Sequence, residues 1–378
     1  MIPLTIPEIK GNEWKYVKDC LDTGWVSSVG AYVSRFEQSV ADYSHSSYGV
    51  ATMNGTAALH ISLLLSGVKP GDYVIVPNLT FVASINAIRY TGASPLLMDI
   101  DEASWQMDLD LLEHYLKAET TVTEGVCRLD KDNRPVRCIM PVHVLGGIGD
   151  MDRLCKLAER YSLTMVEDAT ESLGSTFRGK PAGSFGAFGC FSFNGNKIIT
   201  TGGGGVLVTA DKGLAEKAKH LTTQAKADPE EYYHDETGYN YRLVNVLAAM
   251  GVAQMEQLPG FIKRKKEIAA YYREQLGGVG DIRFQEHDKD CDSNEWLFTI
   301  RTERQKGLLK RLAEEEIIAR PFWVPMNRLP MSRTDLYVQE KDVAGKVYSE
   351  CLSIPCSSGI SDGELETVTK TIKEFFRK

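Results

Sequence analysis

The sequence of 378 residues predicts an α/β protein with a large domain built on a mostly parallel sheet and a smaller α+β domain at its C-terminus. Through the first two thirds of the chain, short apolar runs alternate with helical patterns. Such alternation is typical of a parallel sheet covered by helices on both faces. After about residue 276 the pattern changes to a glycine-rich loop, a strand and helices. We therefore predict a large domain over residues 1–255 and a small domain over residues 256–378.

The predicted elements follow one another in a regular order. Three units of an apolar strand and a helix come first: YGVATMN with GTAALHISLLLSG, DYVIVPN with ASINAIRYTG, and SPLLMDID with DLDLLEHYLKA. A strand, a helix and a strand follow in CIMPVHVLG, DMDRLCKLAERYS and LTMVED. The later elements are a long helix ending in VLAAMGVAQMEQL, a basic helix in FIKRKKEIAAYYREQL, a strand in WLFTIR, and helices in KGLLKRLAEEEI and DGELETVTKTIKEFFRK.

Composition and charge exclude several classes of protein. The formal net charge is −8, from 43 basic and 51 acidic residues, so a surface for a nucleic-acid backbone is not expected. The 8 cysteines are dispersed without CxxC pairs or zinc-ligand spacing, which predicts reduced thiols and no metal site. No apolar run has the length of a membrane span, and the N-terminus lacks a signal-peptide pattern. We expect a cytoplasmic protein that binds neither nucleic acid nor a membrane.

The stretch FSFNGNKIITTGGGG places Lys197 between an apolar strand and four consecutive glycines. Each glycine costs roughly 0.5–1 kcal/mol relative to alanine in regular structure, so a run of four indicates close backbone packing or a ligand. A lysine removed from solvent has a lowered pKa, and its amine can hold an aldehyde covalently. The simpler alternative is a glycine-rich hairpin that carries a solvated lysine.

Two further groups fall at predicted strand ends, where ligands gather in open α/β sheets. In MNGTAAL, Gly55 permits a tight turn, and the N–H groups of Thr56 and Ala57 at a helix start favour an anion. The alternative is a helix capped by its threonine. In LTMVEDATES, Asp168 ends an apolar strand, where a buried carboxylate needs a cation partner unless it caps a following helix.

A lysine amine, a strand-end carboxylate and a phosphate site together indicate pyridoxal phosphate, which needs a group for its aldehyde, its ring nitrogen and its phosphate. Asp168 and Lys197 are 29 residues apart, a separation that fits adjacent sheet elements joined by a hairpin. Phe81, in PNLTFVAS at another strand end, is a candidate to lie flat against the ring of this cofactor. Its alternative is an ordinary core position, the commoner place for phenylalanine.

The chain resembles the DegT/DnrJ nucleotide-sugar aminotransferases, a branch of the fold-type I pyridoxal phosphate enzymes. The resemblance runs nearly end to end and is carried by seven ordered motifs: GWVSSVGAYVSRFE, NGTAAL, VIVPNLTFVAS, VEDATESLGS, FSFNGNKIITTGGGG, GYNYRL and RPFWVPMNRLP. It implies an aspartate-aminotransferase-like large domain. Among the branches of the family, GWVSSVG, EDATES and RPFWVPMNRLP are most similar to enzymes of legionaminic acid and related bacterial sugar pathways.

The resemblance also implies roles for the cofactor-facing residues. Lys197 corresponds to the lysine that holds the cofactor and transfers the proton, and Asp168 to the partner of its ring nitrogen. Phe81 corresponds to the aromatic that stacks on the ring. Glu171 stands where the family usually has a glutamine that contacts the cofactor's 3-hydroxyl or the substrate. Many members also carry an acidic residue in the glycine run, at the position of Gly203.

The phosphate site implied by the resemblance is shared between two subunits. Thr56, Ala57 and Ser192 would hold the phosphate from one chain, next to the turn at Gly55. Asn240, in GYNYRL, would reach the same phosphate from the neighbouring subunit, so the resemblance implies a homodimer with shared active sites.

The implied reaction is a two-stage transamination from an amino acid, usually L-glutamate, to C4 of a nucleotide-linked 4-keto-6-deoxy sugar. We expect UDP- or GDP-2-acetamido-2,6-dideoxy-4-ketohexose as acceptor, for bacterial surface glycans or nonulosonic acids. Trp25, Ser27 and Ser28 are candidates for contacts with the sugar. Arg320 is a candidate for the diphosphate, or else forms a surface ion pair with the acidic run just before it.

Several alternatives to this function stay open. The nearest are a perosamine-type aminotransferase, which would take a 2-hydroxy sugar, and an aminotransferase for 3-keto sugars. A pyridoxal phosphate-dependent sugar dehydratase is disfavoured, because that branch replaces the lysine with histidine, whereas this chain has Lys197. A non-catalytic regulator and an enzyme specific for amino acids are the remaining alternatives.

Overall fold

The computed structural model describes residues 1–228 and 230–377. Lys378, the last residue of the predicted terminal helix, lies outside this part of the chain. The helices are α1 Glu13–Thr23, α2 Ala31–Tyr43, α3 Gly55–Leu65, α4 Val82–Tyr90, α5 Leu109–Glu119, α6 Met151–Arg160, α7 Lys212–Thr222, α8 Asn245–Leu276, α9 Gln305–Glu314, α10 Val343–Glu350 and α11 Asp362–Arg377.

The strands range from two to five residues in length. They are β1 Tyr48–Thr52, β2 Tyr73–Pro77, β3 Ser94–Met98, β4 Thr120–Thr123, β5 Val126–Leu129, β6 Val136–Ile139, β7 Thr164–Asp168, β8 Thr176–Phe177, β9 Lys180–Pro181, β10 Phe188–Ser192, β11 Gly205–Thr209, β12 Lys226–Asp228, β13 Tyr233–His234, β14 Arg283–Phe284, β15 Cys291–Asp292, β16 Thr299–Arg301, β17 Arg320–Pro321, β18 Leu336–Val338 and β19 Cys351–Ser353.

The large sheet has eight strands in the order β1-β11-β10-β7-β6-β2-β3-β18. Only β11 runs against its neighbours, pairing antiparallel with both β1 and β10, and all other pairs are parallel. The strands are short apolar runs with buried side chains, as expected where both faces of a parallel sheet are covered. The predicted α/β class with a mostly parallel sheet is confirmed.

Two layers of helices cover this sheet. Apolar side chains of α2, α6 and α8 pack into one core cluster, and those of α3, α4 and α7 pack into a second cluster on the opposite face. None of the helices in residues 1–228 and 230–377 is both long enough and apolar enough to cross a membrane.

The C-terminal part of the chain has its own sheet and core. Strands β14, β16, β19 and β17 form an antiparallel sheet, against which the end of α8, α9 and α11 pack their apolar side chains. The two helices predicted around residue 255 are one helix of 32 residues, α8, which continues through Pro259. The sequence suggested a break there, but buried Leu258, Phe261 and Ile262 keep the helix packed on both sides of the proline. The domain boundary between residues 255 and 256 therefore lies inside a helix, and it stays a prediction.

The connection between β7 and β10 differs from the predicted hairpin. The two strands are adjacent, with Asp168 opposite Cys190, but they run parallel, and a simple hairpin cannot join parallel strands. The intervening residues form the small antiparallel pair β8–β9, which also pairs with β15 of the C-terminal part. The expected adjacency is correct, and only the form of the connection is wrong.

Candidate active site

The ends of three elements meet at one edge of the large sheet. Asp168 is the last residue of β7, Ser192 is the last residue of the neighbouring β10, and α3 begins at Gly55. A Cβ atom at Gly55 would lie 2.8 Å from the Cβ of Ser192, so the helix start and the strand end are in close contact. Together with C-terminal residues they enclose a cavity of about 540 Å³.

Most of the predicted site residues line this cavity. They are Gly55, Thr56, Phe81, Asp168, Glu171, Ser192, Lys197 and Arg320. Five predicted residues do not line it: Trp25, Ser27, Ser28, Ala57 and Asn240.

Asp168 is 3 % exposed, and its carboxylate is held by three donors. Oδ2 accepts a hydrogen bond from Ser84 Oγ at 2.6 Å, and Oδ1 accepts from Thr170 Oγ1 at 2.7 Å and from the Thr170 N–H at 3.3 Å. The chain after β7 forms turns and short strands, so the carboxylate does not cap an α-helix. No ion pair to Asp168 is present among the described residues. Hydroxyl groups therefore fix this carboxylate at the cavity wall without neutralising it.

Lys197 lies in the turn after β10, and its side chain is only 13 % exposed. Its Nζ is 3.8 Å from Glu171 Oε1 and 4.1 Å from the centre of the Trp296 ring. Burial lowers the pKa of the amine, and the negative charges of Glu171 and Asp168 oppose that shift. The alternative of a solvated lysine in a surface hairpin is therefore wrong. The amine is placed to act as a nucleophile or a base.

Glu171 is buried beside Lys197. Its Oε2 accepts a hydrogen bond from the N–H of Leu145 at 2.8 Å. Burial raises the pKa of this carboxyl to about 7, although the nearby Lys197 ammonium and the Leu145 N–H act in the opposite direction. Glu171 and Lys197 thus form a pair of titratable groups inside one cavity.

The start of α3 presents backbone N–H groups to the same cavity. The helix is capped by Asn54, whose Oδ1 accepts from the Ala57 N–H at 2.8 Å, so the threonine cap considered above is wrong. Ala57 is buried, and this bond occupies its N–H. Within the described residues, the N–H groups of Gly55 and Thr56 make no backbone or side-chain hydrogen bond. These two donors at a helix N-terminus are an anion site.

The glycine run has a geometric cause. A Cβ atom at Gly205 would lie 2.4 Å from the carbonyl oxygen of Asn54, a distance that no side chain tolerates. Gly202 has φ +82°, in the left-handed region that favours glycine. Glycine therefore lets the turn after Lys197 pass directly behind the start of α3.

The opposite wall of the cavity comes from the C-terminal part of the chain, and sequence analysis found only one of its residues. Trp296, Phe322 and Trp323 line it beside Arg320. Phe81 is 53 % exposed and contacts Trp323 edge-on, with ring centres 6.1 Å apart, so it is not a core phenylalanine.

Arg320 makes no ion pair within the described residues, and its Nη1 donates only to the carbonyl of Ala319, at 3.3 Å. The predicted alternative of an ion pair with the acidic run at 314–316 is therefore not observed. The guanidinium stays available to an anion at the cavity rim.

The remaining predicted residues lie on the outer surface of the chain. Trp25 is 58 % exposed, and its carbonyl accepts a hydrogen bond from Asn245 Nδ2 at 2.7 Å. The carbonyl of Ser27 accepts from the backbone N–H of Asn245 at 2.6 Å, so the 24–30 loop packs on the start of α8. Asn240 is exposed on the same approach to α8 and pairs with Thr223.

The comparisons with known proteins agree with this geometry. A profile of the DegT/DnrJ/EryC1/StrS aminotransferase family matches residues 7–373. The chain belongs to this family. It is 37 % identical to GDP-perosamine synthase of Escherichia coli O157:H7, over 99 % of this chain and 98 % of that protein. It is 35 % identical to GDP-perosamine synthase of Caulobacter vibrioides, over 99 % and 98 % of the two chains.

The fold agrees as well. The crystal structure of a DegT DnrJ EryC1 StrS aminotransferase from Brucella abortus superposes with a TM-score of 0.90 at 25 % identity, over 97 % of this chain and 96 % of that chain. The predictions of an aspartate-aminotransferase-like fold and of a pyridoxal phosphate-dependent aminotransferase are therefore confirmed.

The residues at the cavity fit the cofactor. Among the described residues, a partly desolvated amine at Lys197, a carboxylate without an ion-pair partner at Asp168 and two N–H donors without acceptors at Gly55 and Thr56 face one cavity. These are the groups that an aldehyde, a ring nitrogen and a phosphate require.

Proposed function

We propose that the enzyme transfers an amino group from L-glutamate to C4 of a nucleotide-linked 4-keto-6-deoxy sugar. The observation that carries the proposal is the placement of Lys197 and Asp168 on the floor of one cavity. The opposite wall holds an arginine, Arg320, that forms no ion pair within the described part of the chain. The floor suits amine chemistry, and a planar guanidinium at the rim suits a diphosphate.

The residues of the floor would hold the cofactor in a fixed orientation. We assign Lys197 to its aldehyde and Asp168 to its ring nitrogen. The phosphate is assigned to the N–H groups at the start of α3 and to Ser192, whereas Ala57 contributes through the shape of the helix start because its own N–H is bonded to Asn54. When bound, pyridoxal phosphate supplies an aldehyde for the amino group and a ring that withdraws electrons from the reacting carbon.

Lys197 and Glu171 carry the proton steps. With its amine free, Lys197 removes the proton from the amine-bearing carbon of the donor and later delivers one to the former carbonyl carbon of the sugar. Its lowered pKa favours the neutral amine that the first step needs. Glu171, at 3.8 Å, stabilises the ammonium that results.

Phe81, whose edge contacts Trp323, is assigned to the ring of the cofactor. The acceptor is proposed to enter from the rim, with its sugar ring against the tryptophan wall and its diphosphate at Arg320. At C2 of the sugar we propose an acetamido group, on UDP or GDP, as in the pathways of legionaminic acid. A 2-hydroxy sugar on GDP is the second candidate, because three of the relatives are GDP-perosamine synthases that match the chain over almost its full length.

We also propose that the enzyme is a cytoplasmic homodimer with two shared active sites. In this assembly Asn240 would reach the phosphate of the partner's cofactor, and Trp25, Ser27 and Ser28 would contact the partner's sugar. Trp25, Ser27 and Asn240 are exposed on the surface around the start of α8, and Ser28 is partly exposed there. All four are therefore available to a second subunit.

A direct comparison of substrates tests the acceptor. Nucleotide-linked 4-ketosugars that differ only at C2 are compared with L-glutamate as donor, and the products are identified by mass spectrometry. A site built for an acetamido group leaves polar groups unpaired with a 2-hydroxyl, so kcat/KM should favour the acetamido sugar by about 10²-fold or more. Equal values or the reverse preference would assign the enzyme to the perosamine type. Turnover of 3-keto sugars alone would reject C4 amination.

A further inference from the structure

Trp296 belongs to the C-terminal part of the chain, but it contacts the turn that carries Lys197. The indole is 2 % exposed, and its Nε1–H donates to the carbonyl of Asn196 at 2.8 Å. The centre of its ring system is 4.1 Å from Lys197 Nζ. One side chain therefore holds both the backbone before the lysine and the end of the lysine side chain.

The position of Trp296 is fixed by Asn294, two residues earlier. Asn294 Nδ2 donates to the carbonyls of Glu171 and Leu173 at 2.9 and 3.0 Å, and its Oδ1 accepts from the Trp296 N–H at 2.9 Å. Asn294 itself is completely buried. The segment 294–296 therefore ties the backbone at Glu171 to the backbone at Asn196, and it sets the distance between the two titratable groups.

Burial removes most of the water that would hydrate an ammonium group at Lys197 Nζ, so nearby protein groups must compensate for the lost hydration. The charged groups that act on it are the carboxylates of Glu171 and Asp168, and Trp296 contributes the face of an electron-rich ring. A cation over an indole is stabilised when solvent is excluded, and tryptophan is the strongest of the aromatic partners.

We propose that Trp296 is a positioning residue that binds the ammonium of Lys197 whenever the lysine is not attached to the cofactor. In that part of the cycle it keeps the amine next to the reacting carbon and close to Glu171. The inference rests on the proposed role of Lys197. It assigns a function to Trp296, a residue that takes no direct part in the proposed proton transfers.

The test measures the protonation of the free amine. Pyridoxal phosphate is added to cofactor-free protein at a series of pH values, and the rate at which the absorbance of the lysine-bound cofactor appears is recorded. Only the neutral amine reacts, so the midpoint of this pH profile is the pKa of Lys197. Trp296→Leu removes a group that stabilises the ammonium, so the midpoint should fall by about one pH unit.

Two further proteins distinguish the contribution of the ring face from that of the hydrogen bond made by the indole N–H. Trp296→Phe keeps a ring face but loses the bond to Asn196, so its midpoint should lie between those of the wild type and Trp296→Leu. Fluorinated tryptophan, incorporated uniformly, weakens the ring face without changing the side chain's shape, and it should lower the midpoint of the wild type but not that of Trp296→Phe. This second measurement keeps the test decisive if Trp296→Leu folds poorly.

Trp14→Leu is the matched control, because Trp14 is 78 % exposed on α1 and does not line the cavity. Its midpoint should remain that of the wild type. An unchanged midpoint in both Trp296→Leu and the fluorinated wild type would overturn the inference. Borohydride reduction and peptide mapping test Lys197 separately: a labelled peptide without Lys197 would reject the proposed function, whereas a labelled Lys197 with unmoved midpoints would reject only the role of Trp296.

Discussion

The floor of the cavity and the outer surface around the start of α8 were both predicted to belong to the active site, but they differ in the folded chain. The floor residues Asp168, Ser192 and Lys197 face one another across a cavity enclosed by a single chain. Trp25 and Asn240 are exposed and do not line that cavity. In the proposed dimer, the chemistry would be complete within one subunit, whereas the binding of cofactor and sugar would require two.

The largest effect is expected when the amine of Lys197 is removed from the cavity floor. Lys197→Ala should lose the absorbance of the lysine-bound cofactor and reduce turnover by more than about 10³-fold, because both the covalent attachment and the proton transfer depend on it. Lys212→Ala, on an exposed face of α7, is the control and should retain both. Absorbance spectra and steady-state turnover of the two variants provide the measurement. Turnover at the wild-type level in Lys197→Ala would show that Lys197 neither holds the cofactor nor transfers the proton.

Asp168→Asn tests the second group of the floor. The amide has almost the same shape but no charge, so Ser84 and Thr170 keep a partner while the ring nitrogen loses its carboxylate. We expect kcat to fall by about 10²–10³-fold, a typical loss for one fixed electrostatic contact. Asp152→Asn, at a half-exposed ion pair, is the control. A loss of less than about tenfold, with cofactor still bound, would contradict the proposed role of Asp168.

The outer surface is tested by mixing two defective proteins. If Asn240 serves the partner's site, a heterodimer of Lys197→Ala and Asn240→Ala has one site with both defects and one site with neither. Random exchange of equal amounts should then restore about a quarter of the wild-type activity, because half of the dimers are mixed and each has one intact site.

This mixing experiment needs two controls. Asn240→Ala alone must be strongly impaired, and exchange of subunits must be shown independently by mass spectrometry of differently tagged chains. With both established, activity no higher than that of the two parents would place Asn240 outside the partner's site. The outer surface would then need another function.

The sequence predicted the floor better than the walls, for a physical reason. Carboxyl ends of parallel strands meet at one edge of a sheet, so Asp168 and Lys197 could be placed together from local patterns alone. Trp296 forms a hydrogen bond with Asn196, 100 residues earlier in the sequence, and Ser84 forms one with Asp168, 84 residues later. Local sequence patterns do not predict contacts over such separations. The parallel course of β7 and β10 was missed because the short hairpin β8–β9 resembles a direct turn.

Arg320 tests the rim, where the effect should be smaller. Arg320→Ala removes a guanidinium that pairs with no carboxylate of the described chain, and kcat/KM for the nucleotide sugar should fall by about 10–100-fold through KM. The half-reaction with L-glutamate should keep its rate, because the donor carries no diphosphate. Arg333→Ala, an exposed arginine nearby in sequence, is the control. Equal losses in both half-reactions would show that Arg320 does not bind the diphosphate.

Glu171→Gln gives the smallest expected effect and tests the pair on the floor. Loss of the charge 3.8 Å from Nζ should lower the pKa of Lys197 further, since Glu171 is the largest influence that raises it. The acid limb of the pH–rate profile should therefore move to lower pH, while the rate at the optimum changes less than in the Asp168 variant. Glu159→Gln, exposed on α6, should leave the profile unchanged.

The same variant makes a second, independent prediction about stability. In the folded wild type, burial raises the pKa of Glu171 from 4.5 to about 7, so the folded protein binds this proton more tightly than the unfolded chain does. That contribution to stability is fully present below about pH 4.5 and is lost as the pH rises through 7, where the buried carboxylate must carry a charge. The glutamine has no such penalty, so Tm of Glu171→Gln relative to wild type should rise by about 2 °C or more between pH 4.5 and pH 8. Thermal unfolding followed by circular dichroism at both pH values measures this change. A relative Tm that is flat or falls over this range would mean that folding does not raise the pKa of Glu171.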